Sequence, residues 1–87
     1  MSIAAVAEGV AVAEDGGEAF LLHTPTGRYF RLNEAGLVAW NALAGGTEPL
    51  AALAIRYPSV AEAVLAADLA SLLDGLAAAG LVHLPAS

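Results

Sequence analysis

The sequence changes its periodicity between residues 27 and 34, and this change constrains the fold more than any other feature. The run Arg28-Tyr29-Phe30-Arg31-Leu32 alternates and carries two aromatic side chains, which is typical of a β-strand. Asn33 follows directly and is a good helix N-cap, and the apolar residues after it recur at helical spacing. We therefore predict a strand over residues 28–32 that passes directly into a helix.

Two more strands are predicted ahead of this junction. Residues 10–14 alternate weakly and end at Asp15-Gly16-Gly17, a strong turn signal, and residues 19–24 form the second run. Residues 25–27 are turn formers that lead into strand 28–32. Three short strands joined by tight turns predict an antiparallel meander, and residues 1–9 are predicted to be a frayed end or a short leading strand.

Three helices are predicted after the junction. Gly45-Gly46 ends the first, Thr47 is predicted to cap the second, and Pro58 ends that one. Strands followed by helices predict an α+β fold. A three-stranded antiparallel sheet followed by three helices also describes a winged helix-turn-helix-like domain, here a single one spanning residues 1–87.

The third helix is predicted to begin with the capping box Ser59-Val60-Ala61-Glu62 and to run to about Ala79, where Gly80 stops it before a last short extended piece. At about 100° per residue its core face is a leucine stripe formed by Leu65, Leu69, Leu72 and Leu76. One flank of the stripe is small or polar and consists of Val64, Asp68, Ser71 and Gly75. Alone this is an ordinary exposed flank, but beside a sheet edge it leaves a shallow channel.

Strand 28–32 is the last of the meander, so one of its sides is expected to be unpaired. An open edge beside a channel is a candidate site for adding an extended peptide as a further strand. About four backbone hydrogen bonds at ~1 kcal/mol each cannot offset an association cost of roughly 4–15 kcal/mol, so side-chain pockets must help to hold the peptide. Proline at Phe30 or Arg31, and alanine at Asp68, are expected to weaken such binding.

The charge of the chain argues against nucleic acid as a partner. The net charge is −6, with three arginines, no lysine and nine acidic residues, whereas a specific DNA-binding protein contacts roughly 6–10 phosphates. The chain has no cysteine, which excludes disulfides and thiolate metal sites. Acidic residues interrupt the apolar window 60–82, and the N-terminus lacks the basic region of a signal peptide, so we expect a cytoplasmic protein that does not bind a membrane.

The sequence shows no catalytic constellation. His23 and His83 lie far apart, the carboxylates are dispersed, and there is no nucleophile elbow, Walker A or dinucleotide-binding pattern. We therefore expect no enzymatic activity, no cofactor and no metal.

A further set of motifs runs along the chain in order. It consists of Gly27-Arg28-Tyr29-Phe30-Arg31-Leu32-Asn33-Glu34-Ala35-Gly36, Trp40, Gly45-Gly46-Thr47, Tyr57, Ala67-Asp68-Leu69 and Gly80-Leu81-Val82. Over roughly residues 10–84 this set resembles the PqqD-like family, small domains that recognise the leader peptides of ribosomally made, modified peptides. The resemblance implies a winged helix-turn-helix fold in which a leader peptide pairs with strand 28–32 and lies against the third helix. Leu32 and Trp40 match scaffold positions and are interpreted as core residues.

Within this family, the chain resembles the free-standing leader-binding subunits of lasso peptide pathways. The resemblance implies that it delivers the leader region of a precursor peptide to a separate leader peptidase of the cysteine protease type and to a separate ATP-dependent cyclase. It also implies that an aromatic residue and a proline of the leader are anchored in a hydrophobic pocket. The predicted peptide-binding residues are Arg28, Tyr29, Phe30, Arg31, Leu32, Val64, Ala67, Asp68, Ser71, Leu72 and Gly75.

Three alternatives stay open at this point. The first is a PqqD-type peptide chaperone for a radical SAM enzyme. The second is a winged-helix DNA-binding regulator, which the fold favours and the charge disfavours. The third is an acidic structural or dimerisation domain whose strand edge is closed by a second copy, and a tight dimer that a leader peptide does not disrupt would support it.

Overall fold

The structure is a computed structural model that describes residues 5–83. Its elements follow in the order β1 (Ala5–Val6), β2 (Val10–Asp15), β3 (Glu18–His23), β4 (Arg28–Leu32), α1 (Glu34–Ala44), α2 (Pro49–Arg56), α3 (Glu62–Ala78) and β5 (Val82–His83). A three-stranded antiparallel sheet is followed by three helices, so the predicted α+β class is confirmed.

The predicted meander is present, with β3 in the middle of the sheet. β2, β3 and β4 are neighbours in this order, and Val12, Leu21 and Phe30 stand side by side across them. Gly16 and Gly17 join β2 to β3 with φ angles of 60° and 87°, which a two-residue type I′ turn requires. The predicted order of strands and turns is therefore confirmed.

The first and last strands pair with each other in a second, two-stranded sheet. Val6 lies opposite Val82 in an antiparallel pair, and the N–H of Ala7 donates to the carbonyl of Leu81 at 2.9 Å. The predicted leading strand and final extended piece both exist in part. Their pairing was not predicted, because two-residue strands carry no periodicity that would reveal a partner.

The core has two parts that share α3. The first lies between the sheet and the helices and is centred on Leu21, Leu32, Trp40 and Leu76, each at most 3% exposed. The second lies among the helices and contains Ala39, Leu53, Leu65 and Leu69. Leu32 and Trp40 are thus core residues, as interpreted from the sequence. Within residues 5–83 no helix combines the length and apolar character that a bilayer span requires.

The helix starts agree with the sequence prediction at α1 only. Asn33 caps α1, since its side-chain Oδ1 accepts from the N–H of Gly36 at 2.8 Å. The prediction that Thr47 caps α2 is wrong. Glu48 is the N-cap, and its carboxylate accepts from the N–H groups of Leu50 and Ala51, at 3.3 and 3.0 Å.

The capping box predicted at residues 59–62 is also wrong. The N–H of Val60 donates to the carbonyl of Tyr57 at 3.2 Å, so Ser59 lies inside a turn and not at a helix start. α3 begins at Glu62, and its N-cap Ala61 offers no side-chain acceptor. The end of α3 is as predicted, because Gly80 follows it with a φ of 78°.

The correction at α2 gives a stability prediction. Glu48→Ala is expected to lower the free energy of unfolding by about 0.5–2 kcal/mol, because two N-terminal amides of α2 lose their acceptor. Thr47→Ala is the matched control and is expected to change it by less than about 0.5 kcal/mol. Urea unfolding followed by Trp40 fluorescence measures both, and equal losses in the two variants would contradict the assignment of the cap.

Glu34 ties the end of α2 to the start of α1. Its Oε1 accepts from the Arg56 guanidinium at 2.9 Å and from the Tyr57 hydroxyl at 2.8 Å. Desolvation, followed by the hydrogen bond to Glu34, raises the pKa of Tyr57 above its ordinary value, since both favour the neutral phenol. This link fixes α2 beside the first turn of α1, at one end of the site described below.

Candidate functional site

The outer side of β4 has no strand partner within residues 5–83, because the sheet ends there. Such an edge presents every second N–H and C=O outward, and which residues do so depends on the hydrogen-bond register. The two-residue turn between β2 and β3 settles that register. It joins Asp15 and Glu18 by backbone hydrogen bonds, so the N–H and C=O of Glu18 point toward β2.

The backbone N–H and C=O groups of successive β3 residues point alternately toward β2 and toward β4, so the same register applies at the edge. The N–H and C=O of Leu21 point away from β2, toward the opposite residue Phe30. Tyr29 and Arg31 therefore direct their N–H and C=O groups outward. The chain is still extended at Asn33, with φ −79° and ψ −176°, so its N–H faces the same side.

Two backbone hydrogen bonds agree with this register. The carbonyl of His23 points toward β4, because it accepts from the N–H of Gly27 at 2.8 Å. The N–H of Thr24 points the other way and donates to the carbonyl of Gly9 at 2.8 Å. The edge thus offers two complete N–H and C=O pairs.

Helix α3 runs beside this edge in the opposite direction to β4, and one end of the space between them is closed by side chains. The guanidinium of Arg28 donates to the carbonyl of Ala78 at 2.9 Å, at the last turn of α3. The ring of Phe30 lies against Gly75, since a Cβ placed on this glycine would be 3.2 Å from the Phe30 Cε2 atom. A side chain at this position would require the ring to shift by a few tenths of an ångström.

The other end of this space is open, and we call the whole the β4–α3 groove. Two adjoining cavities lie at the open end, with volumes of about 480 and 330 Å³. The larger is lined by Glu18, Phe30, Arg31, Leu32, Asn33 and Leu72. The smaller is lined by Asn33, Ala35, Gly36, Leu53, Asp68, Leu69 and Leu72. Asn33 and Leu72 belong to both, so they stand where the two cavities meet.

The predicted β4 residues occupy different positions relative to this groove. Phe30 is half-buried in its floor, and Leu32, at 1% exposure, contributes to the floor only from the core. Tyr29 is 72% exposed and projects from the opposite face of the sheet. Arg28 closes one end of the groove.

The predicted α3 residues divide into two groups. Asp68, Leu72 and Gly75 face the groove. Val64, Ala67 and Ser71 are exposed on the outer flank and do not line either cavity. Leu72 departs from the core stripe in which the sequence placed it, since it is only half-buried and packs against both parts of the core.

Arg31 is held over the outer face of the sheet by an ion pair with Glu18. The hydrogen bond to Glu18, and then its charge, raise the pKa of the Arg31 guanidinium. Because this side chain is drawn back toward β3, the backbone of Arg31 stays accessible at the edge.

Sequence reasoning missed six residues of the open end: Glu18, Asn33, Ala35, Gly36, Leu53 and Leu69. Asn33 could have been found, because a helix cap that directly follows an edge strand also ends that edge. Leu53 could not, since its place depends on how α2 packs on α3.

The other edge of the sheet, along β2, is also unpaired within the described residues, but its setting differs. Neither groove cavity includes a residue of β2. The edge of β4 is therefore the one that combines outward backbone groups with neighbouring cavities.

The two histidines, distant in sequence, line a third cavity together with Glu8 near the β3–β4 turn. His23 is engaged there, with its Nδ1 2.7 Å from the hydroxyl of Thr26. Within residues 5–83 no three histidine, aspartate or glutamate side chains are grouped as metal ligands. Neither this cavity nor the groove displays a recognisable catalytic arrangement.

The sequence is similar to a known protein family over most of its length. Residues 18–82 match the family model described as coenzyme PQQ synthesis protein D (PqqD). No match was found among curated protein sequences.

Two solved structures share the fold over nearly the entire chain. One is TbiB1 in complex with the TbiA(beta) leader peptide, with 30% sequence identity, a TM-score of 0.84, and coverage of 95% of this chain and 99% of that chain. The other is lasso peptide synthetase B1 complexed with the leader peptide, with 25% identity, a TM-score of 0.77, and coverage of 94% and 98%. In both, the protein similar to this chain was solved with a leader peptide.

Proposed function

The chain belongs to the PqqD family, described as coenzyme PQQ synthesis protein D, and from this we propose that it is a single leader-peptide recognition domain without catalytic activity of its own. It binds the leader of a ribosomally synthesised precursor peptide as an added strand on the outer edge of β4, beside α3. The observation that carries the proposal is the outward direction of the backbone groups of Tyr29 and Arg31, directly beside the β4–α3 groove.

The energetics require both parts of this site. The four backbone groups of Tyr29 and Arg31 supply about four hydrogen bonds, each worth ~1 kcal/mol net. Association costs an estimated 4–15 kcal/mol, so these bonds alone leave no affinity. The two cavities at the open end, at about 480 and 330 Å³, supply the remainder by burying apolar side chains of the leader. Backbone pairing sets the register, and the cavities select the sequence.

The pathway we propose is that of a lasso peptide. The support is the similarity to TbiB1 and to lasso peptide synthetase B1, which extends over nearly all of each chain. In this setting the domain hands its bound precursor to a separate leader peptidase of the cysteine protease type and to an ATP-dependent cyclase. The second candidate is a peptide chaperone for a radical SAM enzyme, which the PqqD family match favours. The genes beside this one distinguish the two pathways, since a short precursor next to an asparagine-synthetase-like cyclase indicates the lasso pathway.

The proposal is tested by titration with a fluorescein-labelled leader peptide. The leader is that of the precursor encoded beside this gene, called the adjacent precursor. We expect saturable binding of one leader per chain, measured by fluorescence anisotropy. The control is the rest of the same precursor, the core segment that remains after the leader is removed, and it is expected not to bind. Absence of saturable leader binding, or equal affinity for leader and core, would contradict the proposal.

A DNA-binding regulator would need basic side chains that are available to contact phosphates. All three basic side chains of the chain are engaged within the fold, Arg28 with Ala78, Arg31 with Glu18 and Arg56 with Glu34. We therefore expect no retention of duplex DNA in a filter-binding assay, even at low salt, where such contacts are strongest. Clear affinity would favour the regulator.

A further inference from the structure

The β4–α3 groove is electrostatically uneven, and its open end is acidic. Asp68 lines the smaller cavity there and is exposed. Within residues 5–83 its carboxylate has no ion-pair partner, whereas Glu18 and Glu34 each have one. Its neighbours at helical spacing, Val64 and Leu72 among them, carry no charge that could form a pair along α3.

No arginine within residues 5–83 forms an ion pair with Asp68. Arg31 and Arg56 are held by glutamates, and Arg28 donates to Ala78 at the closed end of the groove. Ala78 lies ten residues from Asp68 along α3, or ~15 Å at the rise of an α-helix. This separation exceeds the Debye length at physiological ionic strength, which is about 8 Å.

A peptide that fills the groove changes the surroundings of this carboxylate. It covers the cavity and removes water, so a charge left alone becomes costly, while a charge of opposite sign nearby becomes favourable. An acidic peptide residue at this place would also repel Asp68 directly.

From this unneutralised carboxylate in the cavity wall, we infer that the ligand segment passing over the open end carries a lysine or an arginine beside Asp68. The inference rests on the proposed function and names one property of its ligand. Asp68 acts in specificity, selecting basic over acidic residues at a single position of the leader, while the cavities and the strand edge supply most of the affinity.

A charge scan of the leader tests this inference. The probe is the fluorescein-labelled leader of the adjacent precursor, with each position changed in turn to Lys, Gln and Glu. At one position the wild-type protein is expected to bind the Lys form about three- to thirtyfold more tightly than the Glu form, with Gln between them. Raising the salt concentration is expected to reduce the difference in affinity between the Lys and Glu forms.

Variants of the protein identify the group responsible. Asp68→Asn is expected to abolish the preference at that position alone, and Asp68→Lys to reverse it. Asp74→Asn is the matched control, since Asp74 is an exposed acid on the same helix that lines neither groove cavity, and it should leave the preference unchanged. Circular dichroism confirms that each variant is folded.

The outcomes separate this inference from the function on which it rests. Tight leader binding with the same charge ranking in wild type and Asp68→Asn overturns the inference and leaves the proposed function standing. Loss of the preference in Asp74→Asn as well as in Asp68→Asn also overturns it, because the effect then comes from net charge. Failure of every leader form to bind overturns the proposed function and the inference together.

Discussion

Arg31→Pro is expected to weaken leader binding by about ten- to a hundredfold while the domain stays folded. The N–H of Arg31 points out of the sheet, so proline removes no bond of the ladder between β3 and β4. It removes a donor to the added strand, and its ring occupies the space where that strand would lie. Fluorescence anisotropy with the labelled leader measures the loss.

Two control substitutions make this result specific. Arg31→Ala loses the ion pair with Glu18 but keeps the N–H, and it is expected to bind the leader within about threefold of wild type, since exposed pairs contribute roughly 0–1 kcal/mol. Phe30→Pro removes an N–H that faces Leu21 within the sheet, so it should unfold the domain or destabilise it strongly. Wild-type affinity in a folded Arg31→Pro variant would exclude pairing at this edge.

Leu72→Asp is expected to weaken leader binding by about a hundredfold or more, which is the effect of losing a binding hot spot. Leu72 stands where the two cavities of the groove meet, and a carboxylate there would have to be buried by the bound peptide. The free energy of unfolding is expected to fall by about 1–3 kcal/mol, because Leu72 is half-buried in the free protein.

Ala70→Asp is the matched control for this substitution. It adds the same charge to the same helix at an exposed position that lines neither cavity, so leader affinity should change little. Urea unfolding separates lost binding from lost folding in both variants. If folded Leu72→Asp binds the leader as wild type does, the cavities do not anchor the peptide.

Much of the fold could be predicted because local signals agree with one another along the chain. The alternation of residues 28–32, the cap at Asn33 and the glycines of the β2–β3 turn each specify one feature, and all three are present. Helix starts were harder where several residues could serve as the cap. Thr47 and Glu48 both offer an acceptor, and Pro49 decides between them, since proline prefers the first helical position and so makes Glu48 the cap.

The candidate site was predicted less completely than the fold, because it depends on distances between elements. A helical wheel correctly placed Asp68 and Gly75 beside the core stripe. It also placed Leu72 inside that stripe, although Leu72 lines both cavities and is only half-buried. The outward direction of Arg31 follows from the turn at Gly16 and Gly17, but only once the pairing of the strands is known.

The pairing of β1 with β5 has a consequence for how this domain can be joined to other polypeptides. It holds Ala5 opposite His83, so the chain enters and leaves the described fold at the same place. That place lies beyond the closed end of the groove, since Gly80, between α3 and β5, is near the imidazole of His23 at the β3–β4 turn. A polypeptide that continues from Ala5 or from His83 would therefore leave the described fold at one place, away from the open end of the β4–α3 groove. A domain of this architecture can therefore be joined to a longer chain at this place with no change to the β4–α3 groove.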